Sequence, residues 1–126
     1  MIKNIFKKIW FEILFFIANG LVMILFYKNI NLTTMLLGIV ALVGLFKWNS
    51  FRTFCIFIVA GIAFPFLEVS ATYFGVWSYS IKNFINIPFW LFIAWGNGGA
   101  FIYQVAKNFR EKIGLTNKLD NEDLTQ

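Results

Sequence analysis

Apolar residues in this chain gather into four long runs, separated by short polar clusters. The first run extends from Ile9 to Tyr27 and stops at Lys28, Asn29 and Asn31. The second, Leu32 to Trp48, is nearly free of charge and is closed by Lys47, Asn49, Ser50 and Arg52. The third runs from Thr53 to Phe74, and the fourth from Ile87 to Ala106, ahead of Lys107 and Arg110. A helix needs about twenty apolar residues to cross about 30 Å of hydrocarbon. The runs have that length, and none shows the residue-by-residue alternation of a barrel strand. The pattern predicts an all-α protein, an integral membrane four-helix bundle occupying residues 1–113. A polar segment of mixed charge, residues 114–126, is expected as a disordered cytoplasmic tail.

Composition agrees with this reading. Of the 126 residues, 60% are apolar, against about 45–50% in an ordinary soluble domain, and the mean hydropathy is +0.72. The net charge of +5 belongs to residues flanking the apolar runs, where Lys and Arg set topology and meet anionic lipid headgroups. Membrane lipids are therefore the expected partners, and nucleic acid is not. Of the 11 Lys and Arg, Lys28 and Lys82 fall on one side. Lys3, Lys7, Lys8, Lys47, Arg52, Lys107, Arg110, Lys112 and Lys118 fall on the other. That bias predicts a multi-pass protein of the cell membrane with both termini cytoplasmic. Lys3, Lys7 and Lys8 followed by Ala18-Asn19-Gly20 resemble a leader and its cleavage site, but Glu12 interrupts the apolar stretch, so the segment reads as a retained span.

Histidine is missing and Cys55 is the single cysteine. His-ligated haem or zinc and Ser–His or Cys–His dyads are excluded, and no cofactor or metal is expected. Small residues supply packing surfaces. These are Gly38, Ala41 and Gly44 in the second run, Ala60, Gly61 and Ala63 in the third, and Gly96, Gly98, Gly99 and Ala100 in the fourth. They suit a compact bundle and equally a homodimer. Glu12 follows Lys8 by four residues and reads as half of a surface ion pair. Trp10 and Trp48 read as interfacial belt residues.

Glu68 is the position that points to chemistry. A carboxyl group within hydrocarbon is costly and is kept for a reason. It lies about 7 Å from the middle of its span at 1.5 Å per residue. Thr72, Gly75 and Tyr79 follow at helical spacing, on the same face if the helix persists. The alternative is that Gly75 opens a loop carrying Trp77 and Tyr79. Pro88 suits the first turn of the next helix, which brings Trp90 and Trp95 down beside Glu68. The expected site is an outward-facing pocket with Glu68 as a general acid and Thr72, Trp77, Tyr79, Trp90, Trp95 and Asn97 as ligand-binding residues. Asn19 and Asn97 are expected near the midplane, bonded to Glu68 or to each other. The plainer alternative makes Glu68 a neutral staple and the aromatic residues a belt.

The stretch E-V-S-A-T-Y-F-G-V-W-S-Y from Glu68, followed after eight residues by P-F-W-L-F-I-A-W-G, resembles a group of small uncharacterised polytopic membrane proteins of bacteria and archaea. These pair an intramembrane Glu with G-x-W-x-Y and I-P-x-W-x-x-x-x-W-G. More remotely the chain resembles the carotenoid biosynthesis membrane protein family, which includes carotenoid hydratases. The shared features are the Glu68–Gly75 and Pro88–Trp95 spacings. The stretch between Gly75 and Tyr79 is shorter here, the chain has roughly half the spans, and the paired acids of the small lycopene cyclases are reduced to one. The remote resemblance implies an isoprenoid or other apolar small-molecule ligand. Two further classes stay open, a proton-coupled small transporter and an accessory subunit without chemistry, and no motif decides whether the chain is an enzyme.

Overall fold

The computed structural model describes residues 2–124, with side chains for residues 6–111. It contains four helices: α1 Ile2–Phe26, α2 Ile30–Trp48, α3 Phe51–Tyr73 and α4 Trp90–Leu124. No strand occurs among the described residues beyond a single bridge between Phe84 and Ile87. Segments Phe6–Phe26, Ile30–Trp48 and Phe51–Tyr73 are long and apolar enough to cross a membrane.

Polar residues between the runs act as caps. Asn29 accepts a hydrogen bond from the Leu32 amide at 3.1 Å and starts α2. Thr33 turns its hydroxyl onto the Phe26 carbonyl, one of the last-turn acceptors that α1 leaves unpaired. Asn49, in the left-handed region at φ 46°, ends α2, and Ser50 caps α3 through the Thr53 amide at 3.2 Å. Two residues thus reverse the chain between antiparallel helices.

The fourth helix departs most from expectation. It begins at Trp90 and continues as helix through the segment expected as a disordered tail, to Leu124; residues 125 and 126 lie outside the described residues. No proline follows Pro88 to stop it. It also falls short of the hydropathy of the other three, and its position explains why. Helix α4 packs against all three others, whereas α1 and α3 make no contact among the described residues. Its polar side chains therefore meet protein: Asn97 and Gln104 are both buried. Gln104 donates to the Thr53 hydroxyl of α3 at 2.5 Å. The outward faces of α1 to α3 carry exposed Leu14, Ile17, Leu21, Ile39, Val43, Ile58 and Ile62, while Glu12, Asn19, Thr33, Thr53 and Glu68 lie inside. Apolar outside and polar inside is the arrangement of a membrane protein, whose solvent is as apolar as its core.

Small residues bring α3 and α4 together. A Cβ on Gly61 would stand 2.9 Å from the Phe92 carbonyl oxygen, and one on Gly99 would stand 2.5 Å from the Ala60 methyl. Gly96 faces the Phe57 ring equally closely. These glycines are occupied inside the chain. Gly98, on another face of α4, meets nothing within 4 Å.

Candidate functional site

Because α1 and α3 stand apart across α4, the bundle keeps a gap between them at the end where α1 stops and α4 starts. Glu68 projects into this region from α3. A backbone device then turns the chain back over it. The amide of Gly75 bonds to the Thr72 carbonyl at 3.2 Å and that of Val76 to the Ala71 carbonyl at 2.9 Å. This paired closure ends a helix when the residue after its cap is left-handed, and Gly75 has φ +77°. Had α3 continued, Trp77 would lie nine residues along the axis from Glu68, or about 13 Å away at 1.5 Å per residue. Instead Trp77 Nε1 and the Tyr79 hydroxyl both donate to Glu68 Oε2, each at 2.8 Å. Of the two arrangements open from sequence, Gly75 opening a loop is the one adopted.

The rest of that loop is fixed by a tight hairpin. Phe84 and Ile87 exchange backbone hydrogen bonds at 2.9 Å around Ile85 and Asn86, both at positive φ. Asn83 accepts from the Phe89 amide at 2.9 Å. Leu91 and Phe92 bond back to Pro88 and Phe89, which winds the first turn of α4 at Trp90.

A cavity of about 340 Å³ lies beside Glu68. Its wall is Met23 of α1, Glu68 of α3, Tyr79 of the loop, and Trp90, Leu91, Ala94, Trp95 and Gly98 of α4. The α4 residues recur at helical spacing and form one stripe. Trp95 stacks on Phe64, centroids 4.6 Å apart. The indole nitrogens of Trp90 and Trp95 are buried and have no hydrogen-bond partner among the described residues. Burial pushes the Tyr79 phenol above its ordinary range; the hydrogen bond to Glu68 and the nearby negative charge add to this, and a contact with Trp77 opposes it. Tyr79 is thereby kept as a neutral donor. A wider groove of about 650 Å³ runs between α3 and α4 past Val59, Ala63 and Ile102, but its ionisable lining residues are only Cys55 and Tyr103.

The expected site residues separate into two groups. Glu68, Tyr79, Trp90 and Trp95 line the cavity, and Trp77 holds Glu68 from the loop. Thr72 and Asn97 are placed elsewhere. The Thr72 hydroxyl bonds to the Val69 carbonyl of its own helix at 2.9 Å. Asn97 donates to Asn19 at 2.9 Å and to the Leu37 carbonyl at 3.3 Å, tying α4 to α1 and α2. Of the two partners open to it from sequence, Asn97 takes Asn19.

Glu12 is the polar residue that the sequence pattern misplaced. It is buried, and its Oε1 accepts from Trp48 Nε1 at 3.1 Å and Asn108 Nδ2 at 3.3 Å. Lys8 pairs with Glu111 of α4 instead, at 3.2 Å. The i,i+4 spacing fits an ion pair on an isolated helix, but packing turns Glu12 toward α2 and α4. Trp48, expected in an interfacial belt, stands against Phe11 and Phe15 with its nitrogen on Glu12. Met23 was also missed, because nothing local marks an α1 methionine as facing an α3 acid.

Comparison of the chain with protein-family models, with curated proteins and with solved structures finds no match in any of the three.

Proposed function

We propose that this chain is a four-span protein of the cell membrane, with both termini cytoplasmic, that holds an isoprenoid or another lipid ligand in the cavity beside Glu68. The fourth span is supported by the central position of α4, whose polar residues face other helices and so need no lipid-compatible exterior. The orientation is supported by the Lys and Arg distribution. The observation that carries the ligand reading is the cavity itself. It is apolar, it lies in the gap between α1 and α3, and it contains one carboxyl group whose second oxygen, Oε1, makes no hydrogen bond among the described residues. An apolar site with few, well-placed polar groups is the usual form of a small-molecule site. Trp77 and Tyr79 fix Oε2 and leave Oε1 to orient a ligand headgroup or to deliver a proton.

The test is mass spectrometry of lipids that copurify with wild-type protein, Glu68→Gln and Gly98→Leu. A Gly98 side chain would enter the cavity without meeting backbone. A specific lipid held by wild type, altered by Glu68→Gln and lost in Gly98→Leu, supports the reading. Identical profiles from three well-folded proteins would refute it and favour an accessory subunit. A second reading, proton-coupled transport, is favoured by Glu12, which provides another buried carboxyl group at the opposite end of α1 and α4. Proton release on ligand binding distinguishes it from simple binding.

A further inference from the structure

We infer that the polar end of the ligand is a cation, an organic ammonium group on an apolar body. This rests on reading the α1–α3 cavity as a ligand site, and it follows from what the wall offers and what it has already used. Glu68 is 8% exposed and has no basic partner among the described residues. Among the described residues the only salt bridge is Lys8–Glu111, at the far end of the bundle, and no Lys or Arg lines the cavity. A carboxylate buried in apolar surroundings needs neutralising, and no described residue supplies the positive charge.

The hydrogen-bond donors near the cavity are either committed or enclosed. Trp77 and Tyr79 both point at Glu68 Oε2. Trp90 and Trp95 line the cavity, yet their nitrogens are shut away from any accessible surface. Ring carbon is therefore what they present. A phosphate, carboxylate or carbonyl headgroup would find no accessible side-chain donor among the lining residues, and an anion would face Glu68. An ammonium group finds the opposite: a carboxylate oxygen without a hydrogen bond, beside aromatic rings whose faces attract cations. The volume of about 340 Å³ admits such a headgroup and the first part of its chain.

The test uses the full chain in a neutral maltoside detergent and two probes of one shape. One is a decyl chain ending in trimethylammonium; the other is the same chain ending in neutral tert-butyl. Tryptophan fluorescence reads saturable binding. Wild type is expected to hold the ammonium probe at least about ten-fold more tightly. Glu68→Gln, which keeps an acceptor for Trp77 and Tyr79, should abolish the preference. Gly98→Leu should abolish saturable binding of both. Equal saturable binding of the two probes by wild type would overturn the cation inference and leave the lipid pocket standing. A preference that survives Glu68→Gln would overturn it as well. Absence of saturable binding by either probe, together with no copurifying lipid, would remove both the inference and the pocket.

Discussion

Tyr79 donates its hydroxyl to the Glu68 carboxyl group over 2.8 Å, although the two residues are separated by a helix end and a chain reversal. The bond closes the loop over the cavity and fixes the orientation of the acid. It also has a signature in solution. The Tyr79 phenol is held above its ordinary range, so the folded state retains a proton that the unfolded chain releases near pH 10. The associated stability is fully present below about pH 10 and is lost as pH rises through the higher folded value. In an alkaline absorbance titration, the difference between wild type and Tyr79→Phe isolates this phenol. It should ionise above the ordinary range, and Glu68→Gln should move it down, though not all the way, because burial contributes first. An ionisation unaffected by Glu68→Gln would contradict the pairing.

Gly75 should tolerate substitution poorly despite its exposure. A side chain there meets nothing within 4 Å, so the strain is in the backbone at φ +77°. Gly75→Val should cost about 1–3 kcal/mol. It should also release the Trp77 indole N–H from Glu68, seen as a change in its emission against a Trp77→Phe control. A variant with unchanged stability and spectrum would mean that the helix end does not depend on a left-handed residue.

Neighbouring glycines of α4 should behave oppositely. Gly99→Leu forces a side chain onto Ala60 and should destabilise by about 1–3 kcal/mol or more through overpacking. Gly98→Leu has room and gains helix propensity of up to about 1 kcal/mol. Thermal unfolding in detergent compares them. Equal losses would place Gly98 against a helix and not at a cavity.

Glu12 and Lys8 offer a similar contrast. Glu12→Ala leaves Trp48 and Asn108 without their acceptor and should cost about 1–3 kcal/mol. Lys8→Ala removes one half of an exposed ion pair and should cost no more than about 1 kcal/mol. If Lys8→Ala proved the more damaging, the buried position of Glu12 would be wrong.

Much of this architecture is local and was legible in the chain. Run length and polar punctuation mark the helices, because hydrocarbon compatibility is a sum over neighbouring residues and Asn29, Asn49 and Ser50 cap through bonds a few residues away. Helical spacing brings Trp90 and Trp95 to one stripe, and the cost of an acid in an apolar run singles out Glu68. Tertiary structure decided what those side chains meet. Residues 77 and 79 reach Glu68 only because Gly75 breaks the helix, and a glycine alone does not announce whether its φ is positive. Asn97 went to Asn19, and Glu12 turned inward, because α4 is drawn to the centre by Gly61 and Gly99 and presents its polar face to α1. Helical periodicity states which residues share a face. Which face meets which helix is settled by the packing of all four together, and that is a property of no single stretch of sequence.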